Sequence, residues 1–162
     1  MKHVLLAFLV ATSVPAMAAD TGTSTASAMS AFTLSGVKWA MRKNAQVSPQ
    51  QKLCIEAIPD DALAEAYLPL ASRRLDGARL ASFDSFFSST LGKRYLKAFS
   101  LSPPTAGYGA ESFTQGETSI IRKTMNDQAF MAFATEANVE NPGAPQDKLV
   151  SLLQACGWGK PG

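Results

Sequence analysis

"FDSFFSSTLGKRYLKAF", Phe83 to Phe99, decides how the chain folds. Leu80, Phe83, Phe87, Leu91, Tyr95 and Phe99 step mostly by four, with Phe86 and Leu96 alongside. Apolar side chains at that spacing cover one broad face of a helix, whereas a strand would alternate them between two faces. Ser88-Ser89-Thr90, with Gly92 just beyond, interrupts the run with residues that favour caps over helix interiors. A break with recapping near Ser89 is therefore expected, giving two consecutive helices joined at a corner. Their rings are read as core, because few other residues in the chain are large enough to fill one.

The same period extends in both directions. Upstream, "PDDALAEAYLPLASRRLDG" (Pro59 to Gly77) aligns Leu63, Tyr67, Leu70 and Leu75 on one stripe. Asp60 or Asp61 is the expected N-cap, Asp76 and Gly77 the expected stop, and Pro69 is expected to kink the helix or end its first part. Arg73 and Arg74 near its end complement the helix dipole. Earlier still, Leu34, Val37, Ala40 and Met41 fall at helical spacing beside Trp39, and Ser48-Pro49 opens a second helix over "SPQQKLCIEAI". Downstream, "ETSIIRKTMNDQAFMAFATEA" resumes the pattern as one helix or as two divided at Asn126-Asp127. After the breaker "NPGAP", a last helix carries Leu149, Leu152, Leu153 and Cys156 inward and ends at Gly157. No stretch alternates like a strand. The expected fold is all-α, a compact bundle of six or seven short helices with one disulfide, forming a single domain over 32–162.

Two segments fall outside that pattern. "MKHVLLAFLVATSVPAMAAD" has a basic start, a short uncharged apolar run and Ala16-Met17-Ala18, which reads as a cleavable signal peptide over 1–18. The apolar run is well short of the roughly 20 residues that cross a bilayer. Residues 19–31, rich in Ser, Thr and Ala, read as a flexible linker. Inside the domain, Ser100 to Gly116 is rich in Pro, Gly, Ser and Thr, and Tyr108 and Phe113 within it are candidate docking residues. Packing back on the body or plain mobility are the alternatives for that loop.

Cys54 and Cys156 both survive processing. An even cysteine count in an exported chain points to a disulfide. With two cysteines only one intrachain pairing exists, closing a loop of about 100 residues and stapling an early helix to the last one.

The chain carries 15 Lys and Arg against 13 Asp and Glu, and loses one of the former with the signal. A near-neutral balance argues against electrostatic capture of nucleic acid or of an anionic membrane. The single histidine, His3, also leaves with the signal. The mature protein therefore lacks the His that Ser-His-Asp, Cys-His and His-rich metal sites require, and no metal, cofactor or catalytic residue is assigned. Carboxylate chemistry needs only Asp and Glu, and Glu56, Glu65, Asp84, Glu117 and Glu136 are the carboxylates on helices, each better read as a solvated surface group. Lys93, Arg94 and Lys97 form a basic cluster suited to an acidic partner, with a solvated helix face as the alternative.

"FFSSTLGKRY", Phe86 to Tyr95, resembles the short signature of an exported bacterial family catalogued as domain of unknown function 2059. Phe86, Phe87, Ser89, Gly92 and Lys93 carry the likeness, Thr90 stands where the family commonly has Pro, and "AYLPLASRRLDGARLASF" resembles the family's preceding helix. The similarity covers Glu65 to Phe99. It implies a helical periplasmic domain without an assigned reaction. In physical terms, Ser89 caps the second helix and Gly92 lets another backbone approach closely.

The expected function is that of a non-enzymatic periplasmic protein binding another exported protein, for instance as an immunity protein or inhibitor of a secreted cell-wall-targeting effector. Tyr108, Phe113, Lys93, Arg94 and Lys97 are its candidate contacts. The alternatives are a carboxylate-dependent enzyme acting on peptidoglycan, or an envelope maintenance protein without a tight partner.

Overall fold

A computed structural model describes residues 23–101, 113–137 and 143–159. The expected signal peptide over 1–18 and Tyr108 lie outside them. Eight helices follow in order: α1 Thr23–Lys43, α2 Pro49–Glu56, α3 Ala64–Arg74, α4 Gly77–Ser88, α5 Thr90–Leu101, α6 Gln115–Met125, α7 Gln128–Thr135 and α8 Ala144–Ala155. No strand occurs among the described residues. The all-α bundle is therefore the fold, and it has one helix more than the upper expectation because both suspected breaks, at Ser89 and at Asn126-Asp127, are real.

The spine is α1, which packs against α2, α3, α4 and α5. The expected linker is its first half: from Thr23 onward residues 19–31 are helical, and Thr25, Ala26, Ala28, Met29 and Ser30 are buried. Small residues misled the reading. Ala, Ser and Thr resemble linker composition, but in a helix they let neighbouring helices come close, and here the buried hydroxyls are satisfied. Thr25 donates from both its backbone N–H (2.8 Å) and its Oγ1 (2.7 Å) to the Asp84 carboxylate on α4. Ser30 Oγ accepts the Leu63 N–H at 2.9 Å where α3 begins. Thr33 Oγ1 pairs with the Tyr67 hydroxyl at 2.7 Å. Lys38 Nζ donates to the Ile58 carbonyl and to Asp60, both at 2.7 Å, and Arg42 forks onto Glu56. Polar fastenings at Thr25, Ser30, Thr33, Lys38 and Arg42 thus tie α1 along its length to α4, α3, the α2–α3 connection and α2.

Two local expectations are corrected by these contacts. Neither Asp60 nor Asp61 caps α3: its N-cap is Leu63, whose side chain makes no capping bond, and Ser30 from α1 supplies the acceptor instead. Asp76 does not stop α3, which ends at Arg74; it caps α4 by accepting the Arg79 N–H at 2.9 Å. Pro69 stands inside α3 without ending it, on the exposed side, where a missing N–H leaves a carbonyl that water can satisfy.

The corner between α4 and α5 is built by one hydroxyl and one glycine. Ser89 Oγ donates to the Phe86 carbonyl at 2.6 Å and accepts the Gly92 N–H at 3.0 Å, closing one helix and opening the next. A Cβ on Gly92 would lie 2.1 Å from the Phe86 oxygen and 2.8 Å from Phe87 Cα, so only glycine fits. The turn folds the rings inward. Phe83, Phe87 and Tyr95 are buried, and Phe32 from α1 meets Phe87, Tyr95 and Phe99 edge-on, the last at 4.8 Å between centroids. Phe130 from α7 completes the cluster, 5.1 Å from Phe83 and 5.7 Å from Phe87.

At the opposite end Cys54 on α2 is bonded to Cys156, the residue capping α8. Gln51 Nε2 donates to the Gly157 carbonyl at 2.8 Å, and Gly157 itself takes a φ of 82° that favours glycine. In the chain-entropy account a bridge across about 100 residues stabilises by roughly 4–5 kcal/mol, often less in practice.

Candidate functional site: a groove beside the α4–α5 corner

Two helical stripes face each other across an open groove of about 540 Å3. On α4 the stripe is Arg79, Ser82, Phe83 and Phe86; on α6, continuing to the cap of α7, it is Ile120, Lys123, Thr124 and Asp127. Both follow the i, i+3, i+4, i+7 spacing that lines residues along one helix face. Leu91, just past the corner, adds to the apolar floor made by Phe83 and Phe86.

Several polar groups in the groove are already committed. Asp127 Oδ1 accepts the Ala129 and Phe130 N–H groups at 2.9 and 3.2 Å as the cap of α7. Thr124 Oγ1 donates to the Ile120 carbonyl at 3.0 Å, and Ser89 serves the corner. The cations are different. Lys123 has no hydrogen bond or ion pair among the described residues. Arg79 lies 3.7 Å from Asp76, both well exposed, a contact of little strength in water. Ile120 is 52% exposed, whereas its neighbour Ile121 is 1% exposed.

The five residues singled out from the sequence are distributed otherwise. Lys93 and Lys97 are exposed one turn apart on α5. Arg94 and Phe113 are brought together, the guanidinium lying 5.1 Å from the ring centroid, in a clasp between α5 and the start of α6. In the same clasp Arg94 donates to Glu117 at 2.7 Å. Glu117 in turn accepts the Thr114 N–H at 2.8 Å, completing a capping box for α6. That backbone bond first, and the Arg94 guanidinium second, hold the Glu117 carboxyl below its ordinary pKa. Tyr108 falls outside the described residues, and the expected loop is shorter at both ends, since α5 runs to Leu101 and α6 starts at Gln115.

The helical carboxylates are mostly engaged elsewhere. Glu56 accepts two bonds from Arg42, at 2.6 and 2.7 Å, which lower its pKa and raise that of Arg42. Asp84 fastens α1. Glu136 is buried between Arg73 and Arg74, joining the end of α7 to α3. Glu65 is exposed and borders a shallow recess with Ala62 and Lys148. No group of three metal-ligating side chains gathers among the described residues, and no helix there is long and apolar enough to cross a membrane.

Sequence reasoning missed the groove because Arg79, Ile120 and Lys123 belong to segments separated by a helix and a loop. One signal was available. Ile120 and Ile121 are adjacent and about 100° apart on a helix, so one of them had to point away from the core. No family model, no curated protein and no solved structure matches the chain.

Proposed function

We propose that this is an exported, periplasmic protein that works without catalysis, by binding another exported protein. The observation that carries the reading is the groove, which aromatic and aliphatic side chains line together with two cations and in which Ile120 is half exposed. Exposed apolar surface rimmed by polar groups is the common physical form of an interaction site. Two further features support the reading. The disulfide requires an oxidising compartment to persist. The one carboxylate lining the groove is spent as a helix cap, whereas glycoside hydrolysis needs a flanking pair.

The test is to recover tagged mature protein from the periplasm of its own host and measure the mass of what elutes with it. A complex of fixed stoichiometry with one exported protein is the expected result. Loss of any such complex, together with digestion of purified peptidoglycan by the protein alone, would overturn the reading in favour of carboxylate catalysis.

A further inference from the structure

The groove has a charge pattern that its apolar floor does not explain. Arg79 occupies the third position of α4, where a cation opposes the helix dipole, and its contact with Asp76 at 3.7 Å is exposed and weak. Lys123, on the opposite wall, stands without a partner among the described residues. The lone acid of the groove, Asp127, has one oxygen held by two backbone N–H groups. Phe86, Leu91 and Ile120, apolar and incompletely buried, line the same groove. Ser82 and Ser85, both exposed, add hydroxyls along the α4 wall.

From these observations we infer that the groove between α4 and α6 docks an acidic, amphipathic segment of a partner protein, with an apolar anchor on Phe86, Leu91 and Ile120 and carboxylates on Arg79 and Lys123. Charge complementarity selects this occupant. A segment that carries Asp or Glu together with a large apolar residue satisfies both cations and covers the half-exposed isoleucine at once. A basic segment would meet two like charges. The aromatic floor with an arginine at its edge is also the composition in which binding energy concentrates at protein interfaces. Mixed charge and apolar contact further predicts that binding weakens with salt without vanishing.

This inference rests on the partner-binding reading, and the experiment separates the two. Random 12-residue peptides displayed on phage are selected on the mature protein, then counter-screened on the Arg79→Glu/Lys123→Glu variant and on Ile120→Asp. All three positions are exposed, and circular dichroism melts verify that each variant folds. The expected result is enrichment of peptides that combine Asp or Glu with an aromatic or aliphatic residue, bound about tenfold or more weakly by either variant. Enriched peptides that are basic, or that bind both variants as tightly as the parent, overturn it. So does displacement of the peptides by decanoate at equal concentration, which would make the groove a site for small anionic amphiphiles. Self-association that is abolished by Ile120→Asp also overturns it, by seating a second copy there. If the charge-reversed variant still captures the whole partner from the periplasm, partner binding stands and the groove assignment falls.

Discussion

A methyl group on Gly92 would have to share space with the Phe86 carbonyl oxygen, 2.1 Å away, and with Phe87 Cα at 2.8 Å. Both are backbone atoms of the preceding helix, so no rotamer change relieves the contact; α4 and α5 must separate. Gly92→Ala is therefore expected to lower stability by about 3 kcal/mol or more in urea unfolding, at the upper end of overpacking effects. Gly36, inside α1 with nothing within 4 Å of its would-be Cβ, is the contrasting case. Gly36→Ala should gain up to about 1 kcal/mol from helix propensity, and equal midpoints for the two variants would contradict the account of the corner. Ser89→Ala removes the cap that joins both helices and should cost about 1 kcal/mol. At this scale the sequence was readable mostly where the chemistry is local, Asp76 being the exception, a cap three residues from its partner that read as a stop. Ser48, Ser89 and Asp127 act on N–H groups two or three residues away, and each sits where its side chain predicts. Leu63 was not readable as a cap, because its partner Ser30 is 33 residues distant.

At the scale of elements, α1 shows why composition misleads. Its first turns carry Thr, Ser and Ala, the residues of a linker, yet Ala26, Ala28 and Ser30 are at most 1% exposed. Periodicity of large apolar residues could not reveal a helix that packs through small ones, and the Thr25 to Asp84 bonds span 59 residues. A clean test follows from the discrepancy. A chain beginning at Phe32, the boundary the sequence suggests, loses Met29 and the fastenings of α3 and α4, and burial of a methionine alone is worth about 2–5 kcal/mol against alanine. That chain is expected to show no cooperative thermal transition, while one beginning at Asp20 melts sharply. Two matching transitions would mean that the first half of α1 contributes little. The candidate site was legible to a lesser degree than the fold. The periodicity singled out the core-facing stripe of α4, and nothing in the sequence announces that its Arg79, Ser82 and Phe86 face Ile120, Lys123 and Thr124 of α6.

The whole molecule is held by fastenings that join distant segments, and two of them answer to acid in a direction the charges dictate. Glu56 and Glu117 have pKa values depressed in the folded state, by Arg42 and by the Thr114 N–H with Arg94 respectively. In the unfolded chain each returns to its ordinary value, so on acidification the unfolded state takes up protons first. The stability they confer is complete above the unfolded carboxylate pKa and is lost as pH falls through the folded one. Urea midpoints should accordingly hold steady near neutrality and decline below about pH 5, with a reduced decline in Glu117→Gln. The disulfide provides the internal control. It ties α2, the helix that also carries Glu56, to α8, away from the α5–α6 clasp, and carries no charge. Reduction should lower the midpoint at every pH by a similar amount, corresponding to about 2–4 kcal/mol, while the helical circular dichroism of the folded state persists because α1, α3, α4 and α5 retain their mutual packing. In a Glu56→Gln background, where the clasp is the remaining acid-sensitive pair, a reduced protein whose acid decline differs in shape from that of the oxidised one would show that α2 and α8 are coupled to the α5–α6 clasp. A midpoint that rises on acidification would show that the paired glutamates are not stabilising as carboxylates.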